Sequence, residues 1–168
     1  MNKFDIGEKM IRLANNNDIN EILAIYEIAR NYMRQSGNPD QWKSTYPGRE
    51  IINNDIIAGH LYVIEEKDRL DGVFMLAKGP DPTYMVIDGK WNNDDEYYVI
   101  HRVVSAGNRK GILFDCVNFA LERSNNIRID THEDNKTMQH QLEKAGFVKC
   151  GIIKLANGDP RIAYHLTR

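Results

Sequence analysis

"NKTMQHQLEKAGF", residues 135–147, reads as a short polar helix that stops at Gly146 and runs at once into the apolar Phe147. A glycine just past the last helical residue supplies the left-handed conformation that ends many helices. The next stretch, "FVKCGIIKL" (147–155), has the apolar, β-branched content of a strand, and so has "NIRIDT" (126–131) in front of the helix. A helix placed so tightly between two strands belongs to a crossover in a sheet.

Upstream, "YYVIHRVVS" (97–105) is the strongest strand of the chain, with few polar residues, as in a strand buried on both faces. "AGNRKG" turns it into "ILFDCVNFALER" (112–123), where Ile112, Cys116, Phe119 and Ala120 recur at helical spacing. This gives two crossovers in series: strand 97–105, helix, strand 126–131, helix, strand 147–155. Before them come a strand at 9–14, a helix from Ile19 to about Gly37 with Asp18 as a candidate N-cap, a helix at 49–60 with Gly59 at its C-terminal end, and a hairpin of strands 61–66 and 72–79. "PDPTYMVIDGKWNNDDE" (80–96) is a long irregular loop, of the kind that is functional or mobile. "RIAYHL" (161–166) closes a terminal hairpin around "ANGDP". The fold class is α/β (α+β): a mixed, mostly antiparallel six- to seven-stranded sheet flanked by about four helices, in a single domain over 1–168.

The chain has 168 residues, 42% hydrophobic and 27% charged, enough for one domain with a real core. A net charge of −2 argues against nucleic acid or an anionic membrane as partner. No apolar run approaches the ~20 residues that cross a bilayer, and "MNKFDIGEKMIRLA" lacks the apolar centre of a secretory signal. Cys116 and Cys150 lie far apart in apolar-patterned segments and read as two buried thiols, so a reducing, cytoplasmic compartment is expected.

Chemistry concentrates after strand 97–105. Gly107 and Gly111 flank Arg109 and Lys110 at the start of a helix, where backbone N–H groups lack partners and the dipole favours an anion. The residues describe either a diphosphate cradle or a loop that needs glycine to turn. The loop is neither G-x-G-x-x-G nor a Walker A sequence, since no G-K-[ST] occurs. Asp130, His132 and Asp134 alternate, but no second histidine is suitably spaced and no metal is expected.

Taken together, this strand, the loop with Gly111, the helix 112–123, "RIDTHEDNKTM" and "EKAGFVKCGII" resemble the GNAT superfamily of acyl-CoA-dependent N-acetyltransferases. The pattern rests on Asn135, Met138, Glu143, Lys144, Gly146 and Phe147, and the order of elements fits over nearly the whole chain. The resemblance implies transfer of an acetyl group from acetyl-CoA to a primary amine of a small molecule or a peptide. It implies that strands 97–105 and 126–131 part at their ends and that the pantetheine arm lies between them, along Val103, Val104 and Ser105. The N–H groups of Asn108, Arg109, Lys110, Gly111 and Ile112 would hold the diphosphate, and Asn135 would help to hold the arm. Two departures stand out. Asn108 and Leu113 replace the usual Gln/Arg and small residue of the loop, and Leu142 stands where many members carry a tyrosine acid. A non-catalytic acyl-CoA-binding sensor or interaction module is therefore the alternative.

Direct transfer needs a base for the ammonium and a donor for the oxyanion. His101, mid-strand, is the candidate base or proton relay, against the reading of a packed histidine. Glu96, with Asp95, is the other candidate, against a solvated loop. Trp42, Tyr46, Tyr84 and Trp91, aromatic residues in predicted loops, are candidates for the acceptor wall, against plugging the core. The terminal hairpin could pair or exchange between subunits, so a homodimer is open.

Overall fold

The structure is a computed structural model that describes residues 9–43 and 45–168. Its centre is one eight-stranded sheet: β1 (Met10–Leu13), β2 (Leu61–Glu66), β3 (Arg69–Lys78), β4 (Asp88–Gly89), β5 (Tyr98–Ser105), β6 (Asn126–Thr131), β7 (Val148–Lys154) and β8 (Pro160–Thr167), in the order β1-β2-β3-β5-β6-β8-β7-β4. Helices α1 (Ile19–Gln35) and α2 (Arg49–Ile57) pack over the first half, while α3 (Ile112–Leu121) and α4 (Lys136–Lys144) cover the other face.

Alternation along the strands sorts the core into these two layers. Val63, Val73 and Val104 meet Ile22, Ile25 and Tyr26 of α1 and Ile52 of α2. Their neighbours Ile64, Phe74 and Ile100 face Ile112, Cys116 and Val117 of α3 and Leu142 of α4. Asn135 caps α4 by accepting from Met138 N–H (3.0 Å). Asp18, the expected cap of α1, precedes that helix but makes no side-chain cap bond to it: its carboxylate accepts from Arg12 at 2.8 and 2.9 Å and from Asn15 N–H at 2.8 Å.

Every neighbouring pair is antiparallel except β5–β6. The first crossover, β5-α3-β6, joins true neighbours. The second does not: β8 lies between β6 and β7, so β7 runs parallel to β6 one place further out. The reason is hydrophobic content. Residues 161–165 of β8 are all buried, whereas β7 has a single buried residue, Ile153, and takes the outer position. This hairpin, a candidate for subunit pairing, has β6 against one side and β4 over Gly151 and Ile152 on the other.

The 80–96 segment is more regular than the sequence suggested. Asp81 caps a single 3-10 turn, Pro82–Tyr84, by accepting from Thr83 N–H at 2.9 Å. The segment then adds β4 to the sheet, where Gly89 faces Gly151 and a Cβ on either would strike the opposite backbone. Two-residue β4 is the strand beyond the six to seven expected. Cys116 is buried as anticipated, but Cys150 is only half-buried; both thiols are free. Among the described residues no helix is long and apolar enough to cross a membrane.

The far end of the strap is clamped by His165 of β8. Its Nδ1 accepts from Asn92 N–H (3.2 Å) and its Nε2 donates to Asn126 Oδ1 (2.9 Å), which requires a neutral ring. Burial, with the Arg128 charge adding to it, lowers the His165 pKa to about 4. Because the folded value lies below the unfolded one, stability contributed by the neutral ring is complete above about pH 6.5 and is lost as pH falls toward 4. Melting temperatures measured from pH 7 to pH 4 should fall across this window, and the His165→Gln variant, less stable at pH 7, should show a shallower decline.

Candidate active site

Strand β5 changes character halfway. Val99 and Ile100 are buried, while His101, Arg102 and Val103 are half-open. The register against β3 explains the change: Val73 pairs with Val104 and Met75 with His101, so Phe74 alone opposes both Arg102 and Val103. That is a β-bulge, and Arg102 adopts a left-handed conformation at φ 52°. For a bulky residue this backbone costs about 1–3 kcal/mol unless its surroundings impose it.

They do. The Arg102 carbonyl accepts from Tyr26 Oη of α1 at 2.7 Å. Its guanidinium grips Asp55 of α2 with two hydrogen bonds of 2.9 and 2.8 Å and reaches Tyr46 Oη at 3.2 Å. Burial opposes the Arg102 charge, but Tyr46 and Asp55 outweigh it and raise its pKa. The bulge turns β5 away from β6. The two strands share only the pairs Tyr98↔Ile127 and Val99↔Arg128, although β5 continues to Ser105 and β6 to Thr131.

Three cavities, of ≈ 390, ≈ 400 and ≈ 600 Å³, lie along the resulting gap. Val103 and Met138 line all three, so they form one channel. The middle cavity runs along Val103, Val104 and Ser105 on one side and Asn135 with α4 on the other, bringing these four expected residues together. Asn135 spends its side-chain oxygen on the helix cap and donates Nδ2 to Gln41 Oε1 at 3.0 Å.

The third cavity is walled by Arg109, Lys110, Gly111 and Ile112. Gly111 caps α3 in the left-handed region, at φ 89°, with no side-chain hydrogen bond. The N–H groups of residues 108–112 have no acceptor among the described residues. Leu113, doubtful beside a diphosphate, points into the core and is 4% exposed. The arginine corrects a simple charge count: its guanidinium is held by Asp115 (2.7 Å), Glu66 (3.1 Å) and Asp71 (3.5 Å), so it fastens the loop. Asn108 does the same, donating to Asp71 at 2.9 Å. Lys110 and, from α4, Lys144 remain as cations at this end.

The first cavity, at the opposite end, contains His101. Its Nε2 lies 2.7 Å from Asp81 Oδ2, and its Nδ1 lies 3.8 Å from Asp130 Oδ2. Burial works to raise the Asp81 pKa, but hydrogen bonds from His101 and Thr83 bring it down to about 2. An ionised Asp81 accepts, so Nε2 carries a proton, and in the neutral ring the lone pair is on Nδ1. Asp130 Oδ2 also accepts from Tyr84 Oη at 2.6 Å, while burial and that carboxylate push the tyrosine pKa well up.

Glu96 is not part of this arrangement. Its side chain is 84% exposed and pairs with Lys78, a solvated loop contact. Of the four expected wall aromatics two line the cavity: Trp42, packed edge-on against Tyr26, and Tyr46. Tyr84 acts through Asp130 from the core. Trp91 is buried beneath the strap, with the Arg128 guanidinium stacked between its ring (4.2 Å) and that of Tyr97 (3.9 Å). Asp81, Asp130, Gln41 and Arg161 are cavity residues that sequence reading missed. For Asp81 a signal existed, Asp-Pro-Thr being a turn-capping sequence. Asp40, His132 and Asp134 bring one ligand atom each within 4.8 Å of one another, and Asp130 faces away from them.

No family model and no curated protein matches the sequence. Solved structures do. A GNAT-family acetyltransferase from Streptococcus agalactiae is 34% identical, with 95% of each chain covered and a TM-score of 0.85. One from Listeria monocytogenes, 22% identical over 95% of each chain, superposes with a TM-score of 0.70. A ribosomal-protein-alanine N-acetyltransferase from Brucella melitensis shares the fold at a TM-score of 0.60, with 18% identity over 95% of this chain and 99% of its own. A parted strand pair ending in free amide hydrogens, on this fold and with this relative, defines an acyltransferase scaffold. The chain belongs to the GNAT family of acetyltransferases.

The Arg102–Asp55 pair gives this geometry a direct test. Asp55→Ala leaves a buried guanidinium without its counter-ion, at a cost of about 3 kcal/mol. Urea denaturation should show that loss, and Asp55→Asn should recover part of it.

Proposed function

We propose that the chain transfers an acetyl group from acetyl-CoA to a primary amine, of a small molecule or a peptide, by direct attack. The observation that carries this reading is the parting of β5 and β6 beside Val103–Ser105, closed at one end by the unpartnered N–H groups of 108–112. An extended pantetheine arm can add to such an open strand edge as a further strand. The N–H groups suit a diphosphate, with Lys110 adding charge.

The thioester supplies the electrophile. At the far end of the channel, His101 Nδ1 is placed to take a proton from the acceptor ammonium, while Asp81 fixes the ring through Nε2. The freed amine forms the C–N bond, with a backbone N–H of the β5 edge stabilising the oxyanion; the C–S bond then breaks, and the second proton of the nitrogen passes to the departing thiolate, directly or through solvent. The departing thiolate has a pKa of about 8.5 and needs little acid help. That matters because Leu142 is fully buried among core residues and offers no proton. Two free thiols and dependence on CoA are consistent with a cytoplasmic setting.

The test uses purified protein. Acetyl-CoA at about 100 times its Kd should stabilise the fold by about 2.7 kcal/mol, seen as a raised melting temperature. Free-thiol release should follow when an amine panel is added. His101→Asn should keep the thermal shift and lower kcat by about 10²- to 10⁴-fold. Binding without turnover on any amine would assign the chain to the acyl-CoA sensors.

A further inference from the structure

The acceptor cavity has a second pole that acetyl transfer itself does not require. Arg161 of β8 lines it and is only 5% exposed. The guanidinium donates to two neutral carbonyls, Pro160 O at 2.8 Å and Gln41 O at 3.1 Å. Among the described residues no carboxylate lies within 4.0 Å of it. The other well-anchored arginines differ: Arg12, Arg102 and Arg109 each meet at least one carboxylate, and Arg128 is sandwiched between aromatic rings. A buried cation with only carbonyl partners is incompletely compensated, and it faces a cavity.

Gln41 stands beside it. Its Oε1 accepts from Asn38 (3.1 Å), Asn135 (3.0 Å) and Thr131 (3.3 Å). Three donors on one oxygen fix which way the amide faces, and its Nε2 has no acceptor among the described residues. The cavity therefore has an anionic pole, Asp81 and Asp130 around His101, and a donor pole, Arg161 with Gln41 Nε2. Its ≈ 390 Å³ suits a small molecule.

We infer that the acceptor is a small amino acid or close analogue, its ammonium drawn to Asp81, Asp130 and His101 and its anionic group to Arg161 and Gln41. The inference rests on the proposed amine acetylation and names the acceptor's chemistry. It sets such molecules apart from polyamines, arylamines and internal lysines, none of which offers an anion to Arg161. Carboxylate and phosphonate share the required chemistry, and the panel below separates them.

The experiment uses the full chain saturated with acetyl-CoA. The panel comprises the proteinogenic amino acids, β-alanine, γ-aminobutyrate and aminomethylphosphonate, each carboxylate set against its carboxamide and its decarboxylated amine. At least one free acid should be acetylated with kcat/KM about 100-fold above its carboxamide, because a buried site built for an anion rejects the analogue that lacks it. Arg161→Gln should erase that preference mainly through KM. Gln41→Glu keeps the triply accepting oxygen but turns an oxygen toward the anion, so it should depress use of the free acid more than use of the carboxamide. Equal or better use of carboxamides or plain amines by the wild type overturns the inference, and so does a preference unchanged in both variants. If acetyl-CoA binds and no amine turns over, the acetylation reading fails, and the anion site is then judged with CoA-loaded protein. A melting-temperature rise with a free acid and not its carboxamide, lost in Arg161→Gln, supports the site; no difference overturns it.

Discussion

The architecture of the site depends on one ion pair. Arg102 holds a left-handed backbone in the middle of a strand, and Asp55 on a neighbouring helix holds Arg102. Without the bulge β5 could pair with β6 beyond Val99, as ordinary parallel neighbours do. With it, the strands separate and three cavities become one channel. Helices α1 and α2 thus act as a brace: Tyr26 secures the carbonyl, Asp55 the side chain, and the apolar layer beneath secures both helices. Local strain is offset by tertiary contacts, as at other functional sites.

Along the channel the mode of recognition changes. The end at residues 108–112 offers backbone hydrogens on a loop whose arginine is neutralised by three carboxylates. The middle offers an unpaired strand edge opposite α4. The end around His101 alone is built from side chains, with His101, Asp81, Asp130, Gln41 and Arg161 converging from five segments. Backbone recognition suits a cofactor common to a whole family, while side chains are free to vary with the acceptor.

This division governs how far the sequence could be read. Residues 97–147 carried the fold because strand, glycine turn and capped helix follow from local rules, and the cavity-lining residues Val103–Ser105 and Asn135 came with them. The placement of β8 inside β7 depended on which hairpin arm could bury more surface, a comparison across the sheet. Trp91 and Tyr84 looked like loop aromatics because nothing local reveals the core beneath the strap. Arg102 was unreadable for a different reason: no propensity predicts an arginine at positive φ, and only its partners on distant helices impose it. Glu96 sits near the right strand in sequence, but its side chain is spent in solvent against Lys78 and does not line the cavity.

Asp81 performs two tasks with two oxygens: Oδ1 caps the turn that begins the strap, and Oδ2 orients His101. The shape of the strap and the aim of the imidazole are therefore a single degree of freedom. Surface connections usually drift in length among relatives, but here the turn at 81–84 is tethered at one end to the His101 ring and the strap is tethered at the other to β7 and β8. In this one, a change of register would re-aim the imidazole.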